Sequence, residues 1–318
     1  MTEINQKILD MIAKNASVNE ISKVTGLSNK QLFYRLNMLK IKGYNFSRKY
    51  YYDGEICYKL QKGFETVKDI SLINRPEDTE ISMVFISDLH LSNKRDRVDL
   101  LNKVYNFCIK EGIHTIINGG DIIDGLLGYQ NQKKFKTLEE QVEYMLKVYP
   151  YDKNILNFIC LGNHDYNLLA TQGQNLETIF LAKRHDIVSL GYGKGVLNIK
   201  NDKLIVLHPT TPTISPIESI NDGLMLKGHY HNSKNIVNGN LTCIQLPSLS
   251  NVISDLPGFI KAKLIFSKGI ISDGVFEQYV FMDKIYKVNE SNYQLGRGKT
   301  KLNKINNEEN RAHIKLKK

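Results

Sequence analysis

The sequence feature that most constrains this chain is Gly162-Asn163-His164-Asp165, which directly follows the apolar run 155–161. Four further groups of potential metal ligands also come directly after short apolar runs. These groups are Asp88-Leu89-His90, Gly120-Asp121-Ile122-Ile123-Asp124, His208, and Gly228-His229-Tyr230-His231. In open α/β sheets, ligand sites form at the carboxyl ends of strands. We therefore expect five strand ends to meet at one point, which requires a chain that alternates strands with helices.

The rest of the central region fits that requirement. Short apolar runs suited to buried strands alternate with amphipathic segments such as 96–111 and 138–148. From residue 236 to 282, several β-like runs follow one another without a helix between them. This order predicts an α/β layered sandwich whose final third consists mainly of antiparallel strands.

The side chains at the strand ends are typical of a metal site. Together they are two aspartates, one asparagine and four histidines: Asp88, His90, Asp121, Asn163, His208, His229 and His231. Mixed oxygen and nitrogen ligands without a thiolate suit manganese, iron, zinc or nickel better than calcium. Seven ligands are too many for one tetrahedral site, so we expect two adjacent divalent ions that share a bridging carboxylate.

Any one of these groups could have an ordinary structural role when it is considered alone. Asp88 could cap a helix, His208 in its Leu-His-Pro context could be structural, and His229 and His231 could form a surface pair. For the metal site to be absent, an ordinary structural role of this kind would have to apply to all five groups at once. The remaining histidines, His114, His185 and His313, have no such context.

The five groups, in this order, resemble the pattern DxH, GDxxD, GNH(D/E), H and GHxH of the calcineurin-like metallophosphoesterase superfamily. The resemblance covers about residues 81–282. It implies a metallophosphoesterase-type β-sandwich flanked by helices, and a hydrolase that acts on phosphoesters. Among the branches of the superfamily, the DNA-repair exonucleases and phosphodiesterases are the expected relatives.

Site roles follow from this resemblance. It implies that Asp88, His90, Asp121 and His231 bind one ion, and that Asp121, Asn163, His208 and His229 bind the other. His164 is expected to act on the substrate as a catalytic residue, with Asp124 holding its ring in position. Asp165 completes the motif but is given no catalytic step.

Two departures from the pattern are informative. Pro209 follows His208 where many relatives have glycine. Asp124 is followed by Gly125, and the arginines that mark the serine/threonine protein phosphatases are missing here and after Asp165. A phosphoprotein substrate is therefore disfavoured.

The first 60 residues resemble a winged helix-turn-helix domain. Three helical segments are followed by two β-like runs joined by Asp53-Gly54, a strong hairpin signal. If this domain binds DNA, its third helix enters the major groove and its wing meets phosphates. The expected DNA contacts are Asn29, Lys30, Gln31, Tyr34, Arg35, Arg48 and Lys49. The alternative is a helical module used for oligomerisation or for packing onto the enzyme.

These patterns divide the chain into four parts. We expect a winged-helix domain in 1–62, a linker in 63–80, the catalytic domain in 81–285, and a basic, mobile tail in 286–318. Charge follows the same division. The chain carries a formal net charge of +10, with +6 in residues 1–62 and +7 in residues 284–318. Basic ends indicate a polyanionic partner such as DNA, although lysines could equally serve solubility.

Composition excludes several other classes. No apolar stretch approaches the ~20 residues of a membrane span, and the first residues lack the features of a signal peptide. We therefore expect no membrane partner and a cytoplasmic location. The four cysteines are widely spaced in apolar settings, which predicts buried free thiols.

Three functional hypotheses remain. The first is a DNA-directed phosphodiesterase, in effect a nuclease, that uses two divalent ions, with manganese the favoured metal. The second is a phosphodiesterase or phosphatase for a nucleotide or other small phosphoester, with the N-terminal domain used for oligomerisation. The third is a DNA-binding regulator whose metal site senses rather than catalyses. The complete set of His164 and Asp124 beside the ligands disfavours the third.

Overall fold

The computed structural model describes residues 2–41, 44–61, 70–73, 78–128, 130–173, 175–209, 222–238, 240–253, 256–295 and 302–303. Within them lie seven α-helices. They are α1 (Glu3–Ala13), α2 (Val18–Thr25), α3 (Asn29–Ile41), α4 (Val98–Glu111), α5 (Leu138–Val148), α6 (Asn163–Gln172) and α7 (Leu176–Lys183). None of the helices in these ranges is both long and apolar enough to cross a lipid bilayer.

The strands form two eight-stranded sheets, and we number them in chain order. The first eight are β1 (Asn45–Tyr51), β2 (Ile56–Gln61), β3 (Ser71–Ile73), β4 (Glu80–Ile86), β5 (Thr115–Asn118), β6 (Leu156–Leu161), β7 (Ile187–Tyr192) and β8 (Lys194–Ile199). The other eight are β9 (Asp202–Leu207), β10 (Asp222–Lys227), β11 (Lys234–Asn238), β12 (Asn240–Gln245), β13 (Gly258–Ser267), β14 (Ile270–Phe281), β15 (Ile285–Gln294) and β16 (Leu302–Asn303). The first sheet has the order β11-β12-β10-β9-β8-β3-β1-β2, and the second has the order β16-β15-β14-β13-β4-β5-β6-β7.

Strands β4, β5 and β6 of the second sheet are buried on both faces, as their continuous apolar sequences require. In β4, Met83 and Phe85 point into the core between the two sheets, whereas Val84 and Ile86 point into a core shared with α4, α5 and α7. A strand covered on both faces reads as an uninterrupted apolar run. This arrangement of two sheets flanked by helices confirms the α/β sandwich that the sequence predicts.

Strand direction explains why the ligand groups meet. Strands β4, β5, β6 and β7 are parallel, so their carboxyl ends lie at the same edge of the second sheet. In the first sheet β9 and β10 are also parallel to each other. Asp88, Asp121 and Asn163 follow β4, β5 and β6, while His208 and His229 follow β9 and β10. Two sheets therefore deliver five loops to one location.

The N-terminal helices and hairpin have the predicted order, and Asp53-Gly54 lies between β1 and β2. Ser17 caps α2 with its side chain, and Glu20 completes a capping box. The hairpin does not stand apart from the rest of the chain, because β1 pairs with β3, and β3 pairs with β8 of the first sheet. The winged-helix assignment and the domain boundaries stay predictions.

Two strands lie in segments for which the sequence predicts no regular structure. A linker is expected in 63–80, but residues 71–73 form β3, which continues the first sheet from the hairpin to β8. A mobile tail is expected from residue 286, but β15 pairs with β14 over almost its whole length. Strand β15 has a solvated face, and polar residues alternate with partly buried ones along it. Its sequence therefore lacks the apolar run that identifies a buried strand. Most of the remaining linker and tail lies outside the described residues.

Candidate metal centre

The metal centre is built from loops with unusual backbone conformation. Among the described residues, nine non-glycine residues have a positive φ angle, and five of these are predicted ligands: Asp88, His90, Asp121, His229 and His231. Side chains with a Cβ rarely adopt this region, so each such residue carries a conformational cost of about 1 kcal/mol or more. Their concentration at one point indicates that the fold holds these residues in place for function.

Glycines next to the ligands allow the loops to approach closely. A Cβ on Gly162 would lie 2.2 Å from Oδ1 of Asp121, and a Cβ on Gly120 would lie 2.4 Å from Nδ1 of His208. No side chain fits at such distances. The glycines of the GNH and GD motifs are therefore required by contacts with the ligands themselves.

In the part of the chain that the structure describes, three groups of potential ligands have donor atoms within 4.8 Å of one another. The first contains Asp88, His90 and His231, the second His90, Asp121 and His164, and the third Asp121, His208 and His229. Asp121 belongs to two groups, as expected of a carboxylate that bridges two ions. Neighbouring groups share a residue, so all the predicted protein ligands except Asn163 are joined in one chain of contacts.

Asn163 is joined to the third group by its side chain. Its Oδ1 lies 3.1 Å from Nε2 of His208 and 3.2 Å from Nδ1 of His229. The structure thus brings together all seven side chains that the sequence selects as ligands. Their roles as ligands stay predictions, because geometry alone does not test binding.

Hydrogen bonds orient the histidine rings. Nδ1 of His208 lies 2.6 Å from the carbonyl oxygen of Gly119. Since a carbonyl only accepts, Nδ1 donates to it, and Nε2 faces Asp121, whose Oδ2 is 3.1 Å away. Burial disfavours the charged ring, but the Asp121 carboxylate raises the pKa of His208 to about 10. Nε2 of His90 and Nε2 of His231 are 3.3 Å apart, so two ring nitrogens of like character face the same space. A cation between such nitrogens satisfies both, and this arrangement fits a divalent metal ion.

The electrostatics are those of a concentrated, buried charge cluster. Burial alone disfavours the charged carboxylate of Asp121, yet the adjacent His208, His164 and His90 hold its pKa below the ordinary value. For His231, burial lowers the pKa to about 4. Asp121 is therefore ionised and His231 neutral at pH 7, as metal binding requires. Although burial disfavours their charged rings, the neighbouring carboxylates raise the pKa values of His208 and His90, so each of these rings must release a proton when an ion binds.

His164 begins α6 and is anchored on two sides. Its backbone N–H donates to Oδ1 of Asp121 at 2.9 Å, and Nδ1 donates to the backbone carbonyl oxygen of Asp124 at 2.6 Å. The ring of His164 packs edge-on against the ring of His90, with centroids 4.6 Å apart. The sequence predicts that the Asp124 carboxylate holds this ring, but the main-chain carbonyl makes the contact instead.

The carboxylate of Asp124 has other partners. Its Oδ2 lies 2.7 Å from Nζ of Lys133, and its Oδ1 accepts from Asn93 at 3.2 Å. The same oxygen lies 3.6 Å from Nδ1 of His90. The Asp124 carboxylate therefore faces His90, a predicted ligand, and pairs with the buried Lys133, whereas His164 contacts the main-chain carbonyl of Asp124.

Sequence reasoning missed two side chains that support the centre. Asp165 is fully buried and accepts hydrogen bonds from the backbone N–H groups of Gly162, Ile122 and Ile123. It ties the loop after β5 to the start of α6, a structural task that its place in the motif did not reveal. Lys133 lies nine residues beyond Asp124 in a stretch with two adjacent lysines, and nothing in the sequence distinguishes it.

The predicted DNA contacts are only partly exposed. Lys30, Gln31 and Tyr34 on α3 are exposed, with 67% of Tyr34 accessible. Asn29 accepts from Ser22, and Arg35 donates to Asn5. These two side chains already have partners within the helical module.

The wing residues lie in a more enclosed setting. The Arg48 guanidinium is 5.5 Å from the centre of the Tyr58 ring, and both Arg48 and Lys49 are half-buried. A side chain packed in this way does not project from the wing, which argues against the phosphate contact predicted for Arg48.

Residues 81–245, more than half of the chain, match the family model described as calcineurin-like phosphoesterase. The chain belongs to the calcineurin-like phosphoesterase family. It is therefore a phosphoester hydrolase, in a family whose members use divalent metal ions, and its candidate ligand groups lie within the matched region.

Solved structures similar to this phosphoesterase are distant in sequence. A novel archaeal phosphodiesterase is 14% identical with a TM-score of 0.43, and the match covers 63% of this chain and all of that one. Vacuolar protein sorting 29 from Cryptosporidium parvum is 15% identical with a TM-score of 0.42, covering 68% of this chain and all of that one. A predicted phosphoesterase from Streptococcus pneumoniae TIGR4 is 12% identical with a TM-score of 0.38, covering 68% and 98%. No curated protein matches this phosphoesterase significantly in sequence.

Proposed function

We propose that this phosphoesterase is a two-metal phosphodiesterase that cleaves DNA. The assignment of two metal ions rests on the position of Asp121, whose carboxylate lies between two groups of donor atoms. On one side stand His90 and, next to it, Asp88 and His231. On the other stand His208 and His229, with Asn163 in contact with both. We assign one divalent ion to each side, and manganese is the metal that we favour for this mixed ligand set.

The chain's own residues prepare the reaction. Divalent ions held there lower the pKa of water and offset the negative charge of a phosphodiester. His164 lies at the start of α6 with its Nδ1 fixed on Asp124, so its Nε2 is directed away from that bond. We propose that His164 contacts a phosphoryl oxygen or the leaving group. Burial lowers the pKa of His164, so the ring is neutral before substrate binds.

Charge and the N-terminal module support DNA as the substrate. Helix α3 contains three basic residues and no acidic residue, and Lys30, Gln31 and Tyr34 are exposed on it. The net charge of +10 favours a polyanion, whose binding falls steeply with salt.

The position of the N-terminal module determines how long a DNA substrate must be. Phe33 of α3 stacks on His185, just before β7, and Tyr52 in the hairpin turn contacts Thr115 at the start of β5. Both contacts lie at the amino ends of the parallel strands, opposite the ligands. A six-residue strand such as β6 spans about 20 Å. DNA bound by α3 must therefore reach at least about six base pairs, at ~3.4 Å each, to arrive at the metal centre.

The same geometry favours a second candidate, a phosphodiesterase or phosphatase for a nucleotide or other small phosphoester. Such a substrate needs no contact with a module at the far end of the sheet. In that case the N-terminal module serves oligomerisation, and exposed side chains such as Tyr34 and Met38 on α3 are available for that purpose.

One screen tests the proposal and separates the two candidates. Manganese-loaded protein is assayed on bis-p-nitrophenyl phosphate, single- and double-stranded DNA, RNA, cyclic nucleotides and phosphomonoesters. We expect cleavage of DNA, and loss of all activity by at least about a thousandfold in Asp121→Asn, because both groups of ligands lose their shared charge. Asp99→Asn is the matched control, since Asp99 is half-exposed on α4 and pairs with Arg97.

Each outcome has a clear meaning. Intact DNA together with hydrolysis of a small phosphoester supports the second candidate. A protein that binds manganese and hydrolyses none of these substrates contradicts the hydrolase mechanism assigned to this centre.

A further inference from the structure

A large cleft separates the N-terminal module from the catalytic domain, far from the metal centre. It has a volume of about 880 Å³, within the range of sites that take small organic ligands. Val18, Asn29 and Phe33 line one wall, and Tyr149, Tyr151 and Asp186 line the other. Because this cleft opens at the amino ends of β6 and β7, it is not part of the site at their carboxyl ends.

The cleft is positively charged. Lys30, Lys147, Lys153 and Lys183 line it and are exposed. Within the described ranges none of these four lysines forms an ion pair with an acidic side chain. The acidic residue in the lining, Asp186, is already engaged, because Arg184 donates to both of its carboxylate oxygens at 2.7 and 2.9 Å. Four uncompensated cations therefore face one space.

The amino ends of two helices lie in the wall of the same positively charged cleft. Val18 and Asn19 form the first turn of α2, and Asn29 and Lys30 form the first turn of α3. The amino end of a helix carries partial positive charge, equivalent to about half an elementary charge. The start of α2 is already capped by Ser17 and Glu20, so the start of α3, which has no acidic residue in its first turn, is the end that attracts an anion.

The cleft also offers an aromatic surface and an unused polar atom. Tyr151 is 61% exposed, and the Arg184 guanidinium lies 6.0 Å from the centre of its ring. Nδ1 of His185 is buried without a hydrogen-bond partner among the described residues. An exposed tyrosine beside clustered lysines suits a planar base attached to phosphates.

We infer that this cleft binds a small phosphate-bearing ligand with an aromatic base, a nucleoside polyphosphate, at a site separate from the catalytic centre. The phosphates lie among the lysines and the amino end of α3, and the base stacks on Tyr151. The volume of about 880 Å³ is that of a small-molecule site, which favours a mononucleotide over a nucleic-acid strand. Since both walls contribute, binding also holds the N-terminal module against the catalytic domain.

Binding of a fluorescent ATP analogue to the full-length, manganese-loaded protein tests this inference. We expect Lys147→Ala/Lys183→Ala to weaken binding by about tenfold or more, since two charge-assisted contacts are removed. Lys110→Ala/Lys203→Ala is the matched control, because both lysines are exposed on other surfaces and should leave affinity unchanged. Hydrolysis of bis-p-nitrophenyl phosphate without the nucleotide should be the same in all three proteins.

Two further measurements identify the ligand class and the site. Tyr151→Ala should weaken binding of ATP but not of inorganic triphosphate, because only ATP has a base to stack. If Asp121→Asn abolishes nucleotide binding and the lysine pair does not affect it, the nucleotide occupies the catalytic centre and the inference is wrong. Tighter binding of a twelve-nucleotide DNA strand than of ATP, lost in the lysine pair, also overturns it in favour of nucleic acid. Neither result depends on whether the metal centre cleaves DNA.

Discussion

Gly162 shows how strictly the metal centre depends on single atoms. Adding one methyl group there places a carbon 2.2 Å from Oδ1 of Asp121, the carboxylate shared by two ligand groups. We expect Gly162→Ala to lower manganese affinity and kcat/KM by more than about a hundredfold, because Asp121 must move. Calorimetric titration with manganese and steady-state kinetics measure the two effects.

Gly195→Ala is the control for this substitution. Its added carbon meets the Leu190 side chain at 2.3 Å, in a region without predicted ligands. It should lower the melting temperature while leaving manganese affinity unchanged. Equal manganese affinities for Gly162→Ala and the wild-type protein would contradict the assignment of Asp121 as a ligand.

Lys133 is the second residue whose role can be tested directly. Its side chain is fully buried and pairs with Asp124, which is 4% exposed. Removing one partner of a buried ion pair leaves an uncompensated charge and costs about 3–5 kcal/mol. We expect Lys133→Met to lower the free energy of unfolding by about 3 kcal/mol in urea denaturation and to weaken manganese binding, since Asp124 no longer holds His90 as before.

Lys263 provides the matched control. Its ion pair with Glu80 is about half-exposed on both sides, so Lys263→Met should cost no more than about 1 kcal/mol. The double variant Lys133→Met/Asp124→Asn should recover part of the lost stability, because it removes the unpaired charge. No recovery would show that Lys133 stabilises the fold through packing rather than through Asp124.

At the scale of elements, the contact between α3 and the start of β7 controls the titration of His185. Phe33 stacks on this ring with centroids 3.4 Å apart. Burial, together with the nearby positive charge of Arg48, lowers the pKa of His185 to about 4. The unfolded chain has an ordinary pKa of 6.5 at this residue, so it binds more protons than the folded state between pH 6.5 and 4. Stability from this residue is therefore present above pH 6.5 and is lost as pH falls toward 4.

Phe33→Ala tests this element contact. We expect the His185 pKa, followed by NMR, to rise from about 4 toward 6.5 as the ring becomes hydrated. The variant should also lose about 3 kcal/mol of stability at pH 7, the usual cost of removing a buried phenylalanine. Tyr34→Ala, on the exposed face of the same helix, should change neither quantity. A His185 that titrates near 6.5 in the wild-type protein would contradict the described packing.

Sequence patterns predicted elements well where periodicity was strong. Helix α5 has the predicted bounds, and the hairpin signal at Asp53-Gly54 is confirmed. The four cysteines are buried and free, as predicted. Strand β3 was missed because it has three residues and pairs with β8, which is far away in sequence. Strand β15 was missed because polar residues and a solvated face interrupt its apolar pattern.

The candidate site shows the same limit. The residues that would touch metal ions came from motifs, because their chemistry requires particular side chains after particular strands. The support by Lys133 and Asp165 depends on how loops fold against each other. That information appears only when three-dimensional packing is known.

For the whole molecule, the N-terminal module and the catalytic domain share one hydrophobic core. Phe33, Tyr50 and Leu72 belong to the same buried cluster as Phe158 and Leu197. We therefore expect deletion of residues 1–78 to expose apolar surface and the edge of β8, and to lower the melting temperature by more than about 10 °C or cause aggregation. Scanning calorimetry and light scattering measure this result. A truncated protein with unchanged melting temperature and activity would show that the catalytic domain folds independently.

The left-handed backbone at five predicted ligands has a consequence for attempts to improve this protein. Glycine relieves torsional strain at such positions, so Asp88→Gly or His231→Gly is expected to favour the folded polypeptide locally while deleting a ligand. Selection for heat resistance alone would thus drift toward an inert variant. At these residues, the substitutions that raise thermal stability also remove metal ligands. A screen must therefore measure both stability and metal binding if the selected variants are to remain active.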